Sequence, residues 1–112
     1  MSTIRKHIKF YGSVQGVNFR YTSSTIAKKL GLTGWVRNEY DGSVEMEAQG
    51  TSELINQLIN IMKNISQYIV IDNIEQEIIP IVQDETDFII RYWIMKRIKN
   101  IIFINIIFCF YS

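Results

Sequence analysis

Hydrophobic and polar positions change period repeatedly along this chain, and each change predicts an element. In "HIKFYGSV", Ile8 and Phe10 alternate with Lys9, the period-two pattern of a strand with one dry face. The glycine-bearing stretch "GSVQGVNFR", residues 12–20, follows as a connection. Ser23, Ile26, Ala27 and Leu30 then fall at i, i+3, i+4 and i+7, so a first helix is expected over about Tyr21 to Leu30, stopped by Gly31. "GWVRNEYDGSVEMEA" predicts strand, turn, strand, with Asp41-Gly42 as the hairpin signal and Val44, Met46 and Ala48 alternating with Glu45 and Glu47. Gly50-Thr51-Ser52-Glu53 offers an N-cap and first-turn acid for a second helix, whose apolar stripe is expected to be Leu54, Leu58, Ile61, Met62 and Ile65. "YIVIDNIEQEII" reads as a strand stopped by Pro80, and "DFIIRY" as a short last strand. The order β-α-β-β-α-β, with that short strand added, predicts an α+β class. Its form is the ferredoxin-like split β-α-β sandwich, an antiparallel sheet with two helices on one face.

Composition narrows the chemistry. A chain of 112 residues fits one domain with one modest core. Twelve basic against eleven acidic residues give a formal charge of +1, so any anion site must be built locally. One cysteine, Cys109, and one histidine, His7, exclude a disulfide framework, a cysteine-rich zinc site and clustered imidazole ligands. No metal and no cofactor are expected. "MSTIRKHIKF" lacks the apolar core of a secretory signal, so the reading is cytoplasmic.

The segment "GSVQGVNFR" lies between a strand and a helix start, where unpaired backbone N–H groups and the helix dipole favour an anion. Gly12 and Gly16 are read as letting successive amides point inward, and Arg20 as a planar fork whose charge-assisted bonds are worth about 1.5 to 3 kcal/mol each. Taken alone, the segment leaves an equally good alternative, a tight strand-helix connection with a solvent-facing arginine. It lacks the Gly-Lys-Ser/Thr ending of a nucleotide P-loop. Among its neighbours, Phe19 reads as a core anchor, Asn18 as a variable pocket position, and the Gln15 side chain as a possible brace for the loop. His7 and the pair Lys28 and Lys29 read as exposed, and Asp41 as a turn former.

A second stretch makes the pattern specific. Gly12-x-Val14-Gln15-Gly16-Val17-x-Phe19-Arg20, together with Gly34-x-Val36-x-Asn38-x-x-Asp41-Gly42-x-Val44-Glu45, resembles the paired signature of the acylphosphatase family. The similarity runs on to "FIIRY", residues 88–92. The resemblance implies hydrolysis of a small-molecule acyl phosphate to a carboxylate and inorganic phosphate, without metal or cofactor. It implies that Arg20 grips the phosphate, that the amides of Gln15, Gly16, Val17, Asn18 and Phe19 cradle it, and that Asn38 positions the attacking water. The chemistry is coherent with so small a kit, because a carboxylate leaving group with a pKa near about 4 needs no general acid. Asn38 can orient water but cannot take its proton.

Two other readings share the fold. One is a non-catalytic acyl- or carbamoyl-phosphate binding module, as found at the front of larger hydrogenase-maturation proteins. The other is an RNA-binding ferredoxin-like domain, disfavoured because Glu45 and Glu47 stand where aromatic and basic residues would be needed, so no nucleic acid partner is expected. The domain is placed at residues 1–92. Residues 93–112, "WIMKRIKNIIFINIIFCFYS", form a hydrophobic extension of unknown role, too short in its apolar run for a transmembrane helix. A monomer is expected, with this tail as the route to any association.

Overall fold

The computed structural model describes residues 2–98 and 101–109, with side chains through Tyr92. Its elements are β1 (Ile4–Ser13), α1 (Phe19–Lys29), β2 (Thr33–Asn38), β3 (Val44–Gly50), α2 (Ser52–Asn64), β4 (Val70–Ile79), β5 (Phe88–Ile98) and β6 (Ile101–Cys109). They form a six-stranded sheet in the order β4-β1-β3-β2-β5-β6. β1 lies antiparallel between β3 and β4, with Ile8 opposite Met46 on one side and Gln76 on the other. The Asp41-Gly42 turn joins β2 to β3 as the hydrophobic alternation predicts.

The sheet departs from the wholly antiparallel expectation at one seam. β5 runs parallel to β2 over Gly34–Val36 and Phe88–Ile90. The cause is the direction in which β4 ends: the connection 80–87 crosses the sheet end there, so β5 must start at the same end as β2. That crossing is pinned by Gln49, which donates to the Val82 carbonyl at 3.0 Å and accepts from its N–H at 2.8 Å. β5 also continues past the expected Tyr92 to Ile98, and its backbone returns antiparallel as β6. The extension's role concerns side chains that lie outside the described residues.

Both helices cover one face. Ile8 and Phe10 of β1, Val36 of β2, Val44, Met46 and Ala48 of β3 and Phe88 of β5 share a single core with Phe19 and Ala27 of α1 and Ile55, Leu58 and Met62 of α2. Each of the larger side chains among them contributes about 1.5 to 3 kcal/mol when fully buried. The α2 stripe is rotated from the expected one. Ile55, Leu58, Ile59 and Met62 are buried, whereas Leu54 is only half-buried and Ile65 is 47% exposed. The apolar positions of α2 form one broad arc opposite Glu53, Asn56, Gln57, Asn60, Lys63 and Asn64, and the i, i+3, i+4, i+7 set beginning at Ile55 runs nearer its centre than the set beginning at Leu54.

The other face is held by charge. Arg5 is 1% exposed, which is tolerable because its guanidinium meets Glu47 at 2.7 Å, Glu85 at 2.7 Å and Gln49 at 3.1 Å. His7, expected to be exposed, is half-buried against the Glu45 carboxylate. The strand twist brings this diagonal neighbour within reach. Gly12 also differs from its expected role. It sits at a bulge between β1 and β4, where an added Cβ would lie 2.2 Å from the Val70 carbonyl oxygen, so close strand approach and not anion binding requires it.

Candidate active site

The chain leaves β1 at Ser13 and enters α1 at Phe19 through a short irregular loop. Two buried side chains clamp its ends. Val14 is 1% exposed, and Phe19, the expected core anchor, is 2% exposed with its ring 4.9 Å from that of Phe10. Between them the backbone turns through left-handed conformations at Gly16 (φ 76°) and Asn18 (φ 67°). The Asn18 carbonyl accepts the Thr22 N–H at 3.1 Å and opens the helix, but its side chain makes no capping bond. Among the described residues, the amides of Gln15 to Phe19 find no acceptor, and no acidic residue stands in the first turn of α1. Amides at such a terminus suit an anion.

A cleft of about 260 Å³ opens over this turn. Gly16, Asn18 and Arg20 line it from the loop and first helical turn, Asn38 from the end of β2, and Ile90 and Tyr92 from β5. The sheet's alternation explains the last three. Val36 and Phe88 point into the core, and two residues further along each strand the same face has reached the sheet end, where Asn38 and Ile90 emerge, then Tyr92. The Arg20 guanidinium lies 4.9 Å from the centre of the Tyr92 ring, a cation–π contact that orients it without neutralising it. Among the described residues, no carboxylate stands within ion-pair distance of Arg20. The described cleft wall holds no His, Asp, Glu or Cys.

Of the residues picked out from sequence, Gly16, Asn18, Phe19, Arg20 and Asn38 therefore meet at one cleft. Gln15 and Val17 do not line it. Val17 packs partly against the core, and the Gln15 side chain turns to the β2–β3 hairpin, where its Nε2 donates to the Glu39 carbonyl at 2.7 Å and the Ser43 carbonyl at 2.8 Å. Tyr92, Ile90 and Tyr21 complete the wall and were not singled out from sequence. The signal for Tyr92 was present in the alternation Phe88, Ile90, Tyr92.

The hairpin carrying Asn38 is braced by charge. Burial pushes the Glu39 carboxyl above the ordinary carboxylate range, and the neighbouring Glu45 adds to the rise. Burial opposes ionisation of Glu45 as well, but hydrogen bonds with Glu39 and His7, and the Arg37 charge, hold it below that range. Arg37 meets Glu39 at 2.7 Å and Glu45 at 2.8 Å. At the tip, Asp41 accepts from the Ser43 hydroxyl and from the Ser43 N–H at 2.9 Å, and pairs with Lys9 at 3.2 Å. These contacts lower its pKa from 3.8 to about 2, the Ser43 hydroxyl contributing most. Asp41 is the turn former its position suggested.

A depressed carboxyl pKa stabilises the folded state above the unfolded value and loses that contribution as pH falls through the folded one. Asp41→Asn is therefore expected to flatten the pH dependence of stability between about pH 4 and pH 2, as read from urea midpoints across that range. An unchanged slope would contradict the assignment.

The fold and site together define a class: a ferredoxin-like α+β domain with a cleft at its β1–α1 turn whose described wall carries one cation and no carboxylate. The acylphosphatase family profile matches residues 6–90. An acylphosphatase of Pediococcus pentosaceus is 38% identical over 87 residues, covering 77% of this chain and 96% of its own. An acylphosphatase of Bifidobacterium longum is 57% identical over 56 residues, and that match covers 50% of this chain and 58% of the relative. The solved structure of an acylphosphatase from Coxiella burnetii superposes with a TM-score of 0.71 at 35% identity, covering 80% of this chain and 93% of that one. This chain belongs to the acylphosphatase family.

Proposed function

We propose that this chain hydrolyses acyl phosphates, small molecules in which a carboxylate is joined to phosphate, to the free carboxylate and inorganic phosphate. The observation that carries the reading is the makeup of the described cleft wall: one guanidinium, the loop amides of Gly16, Asn18 and Phe19, and two carboxamides, Asn18 and Asn38, with no carboxylate or imidazole. Arg20 and the Gln15–Phe19 amides hold the phosphate and take up the charge that grows on it. Asn38 accepts a hydrogen bond from water and aims its oxygen at phosphorus. The P–O bond to the acyl group breaks, and the carboxylate leaves without a proton because its conjugate acid has a pKa near about 4. The water's proton passes to a phosphate oxygen of the substrate. Phosphoryl transfer of this kind asks mainly for positioning and charge stabilisation, which this wall supplies.

The RNA-binding alternative fares worse on the open sheet face. Phe10 is buried beneath the helices, Tyr11 donates to Glu75 at 2.9 Å, and Trp35 is capped by the Arg37 and Arg91 guanidiniums, each 4.9 Å from its ring. Among the described residues, none of these three rings offers an open platform for a base to stack upon. Among the described residues no helix is long and apolar enough to cross a membrane. We place the activity in residues 1–92, in a cytoplasmic monomer.

The test is release of phosphate from benzoyl phosphate by the purified chain in the presence of EDTA. Saturable turnover is expected, with Asn38→Ala lowering kcat by about 100-fold or more while leaving the circular dichroism spectrum unchanged. A wild-type chain no faster than buffer would favour the non-catalytic binding module, and full activity in Asn38→Ala would remove Asn38 from the mechanism. The same assay on residues 1–92 measures whether the extension takes part.

A further inference from the structure

The two halves of the cleft come from distant parts of the chain, and one side chain joins them. Gln15 lies in the loop that would hold phosphate, yet its carboxamide reaches away from the cleft to the hairpin that carries Asn38. Its Nε2 donates to the carbonyl of Glu39 at 2.7 Å and to that of Ser43 at 2.8 Å. A carboxamide has two N–H donors, so both are used, one on each side of the turn that joins β2 to β3. The hairpin is itself tightly closed at this point. The Ser43 carbonyl also accepts the Glu39 N–H at 2.9 Å, Asp41 holds the Ser43 N–H and hydroxyl, and Arg37 holds the Glu39 side chain. Glu39 follows Asn38 directly. A shift of the loop is thus transmitted to the end of β2 as a rigid displacement.

Resting on the hydrolase reading above, we infer that Gln15 is a positioning residue whose side chain sets the distance between phosphate on the loop and water at Asn38. The loop amides and Arg20 bind phosphate without help from the hairpin. Attack, in contrast, needs the water within about 3 to 3.5 Å of phosphorus and in line with the leaving group, and that geometry spans both halves. Loss of the tie therefore acts on turnover more than on phosphate affinity.

Gln15→Met keeps the side-chain length and the backbone amide and removes both donors. In the full chain it is expected to lower kcat on benzoyl phosphate by about tenfold and to change the inhibition constant of inorganic phosphate by less than about twofold. In an Asn38→Ala background the same substitution is expected to lower kcat by less than about twofold, because the position it sets is no longer used. Equal losses in the two backgrounds, or a loss of phosphate affinity matching the loss of kcat, would overturn the inference. Gln15→Glu gives a second variant: its carboxylate repels the two carbonyls, and its protonated form donates to one of them. Its kcat relative to wild type is expected to recover as pH falls through the carboxyl range, and a flat ratio would count against the tie. A readout independent of turnover is the nuclear magnetic resonance signal of the Asn38 side-chain amide in the ligand-free chain. It is expected to move in Gln15→Met, and an unmoved signal overturns the inference. A moved signal with no wild-type turnover would instead overturn the hydrolase reading alone.

Discussion

Arg20→Ala is expected to lower kcat/KM on acyl phosphates by about 100- to 1000-fold while the chain folds normally. The size follows from what surrounds the side chain. Arg20 is the only Lys or Arg on the described cleft wall, no carboxylate among the described residues lies within ion-pair distance of it, and the Tyr92 ring 4.9 Å away fixes its plane. Removal withdraws one or two charge-assisted bonds at the position where negative charge accumulates, and the loop amides cannot move to replace them. Folding is spared because the residue is half-buried at the start of α1 and stands outside the core. Arg20→Lys keeps the charge and loses the planar fork, so it should recover only part of the activity. Steady-state kinetics on benzoyl phosphate with circular dichroism on the same samples checks this. A loss smaller than about tenfold in Arg20→Ala would contradict the assigned role.

Gly34→Ala is expected to produce the largest loss of stability from the smallest change in volume. A Cβ at Gly34 would lie 1.9 Å from the Glu47 carbonyl oxygen and 2.8 Å from its carbon, and the backbone φ of 141° is one that residues with side chains rarely adopt. Both clashing atoms belong to the β3 backbone, so relief requires separating β2 from β3 beside the core. The Gly34 N–H also donates to the Asp87 carbonyl at 3.0 Å, just before the parallel seam with β5. Strain of this kind costs on the order of 3 kcal/mol or more, which lowers the melting temperature of a domain this size by about 10 to 20 °C. Gly16→Ala makes the contrast. It carries the left-handed penalty alone, since nothing lies within 4 Å of its added Cβ. Thermal unfolding of the two variants should separate them clearly, and equal melting temperatures would contradict the packing account.

Most elements could be read from the chain because their signals are local. The Asp41-Gly42 turn, the Thr51 cap that accepts the Leu54 N–H and the alternation of Val44, Met46 and Ala48 each depend on a few adjacent residues. What escaped reading depends on partners far away in sequence. The parallel β2–β5 seam follows from where the crossing after β4 begins, which no window of β5 reports. Gly12 looked like a phosphate-loop glycine because it stands beside Gly16, and only the position of Val70 reveals its use in strand packing. The α2 stripe was displaced because Leu54, Ile61 and Ile65 lie along one edge of the helix's single broad apolar arc, while the set Ile55, Leu58, Ile59 and Met62 is centred nearer its middle. His7 was read as exposed, and its half-burial, like the full burial of Arg5, depends on Glu45, Glu47 and Glu85, which lie far away in sequence. For the site, the paired glycine-bearing stretches pointed to Arg20 and Asn38, and the fold brings them to one cleft. Tyr92 was seen as a strand end, and its place beneath Arg20 emerges only once β5 is set beside β2.

Water attacking phosphorus in the Arg20–Asn38 cleft is the central step, and isotope tracing reads it directly. The full chain is incubated with benzoyl phosphate in ¹⁸O-labelled water containing EDTA, and both products are weighed by mass spectrometry. One labelled oxygen is expected in the phosphate and none in the benzoate, with a rate above buffer that Arg20→Ala removes. Label in the benzoate, or a wild-type rate no greater than that of buffer alone, would contradict that step.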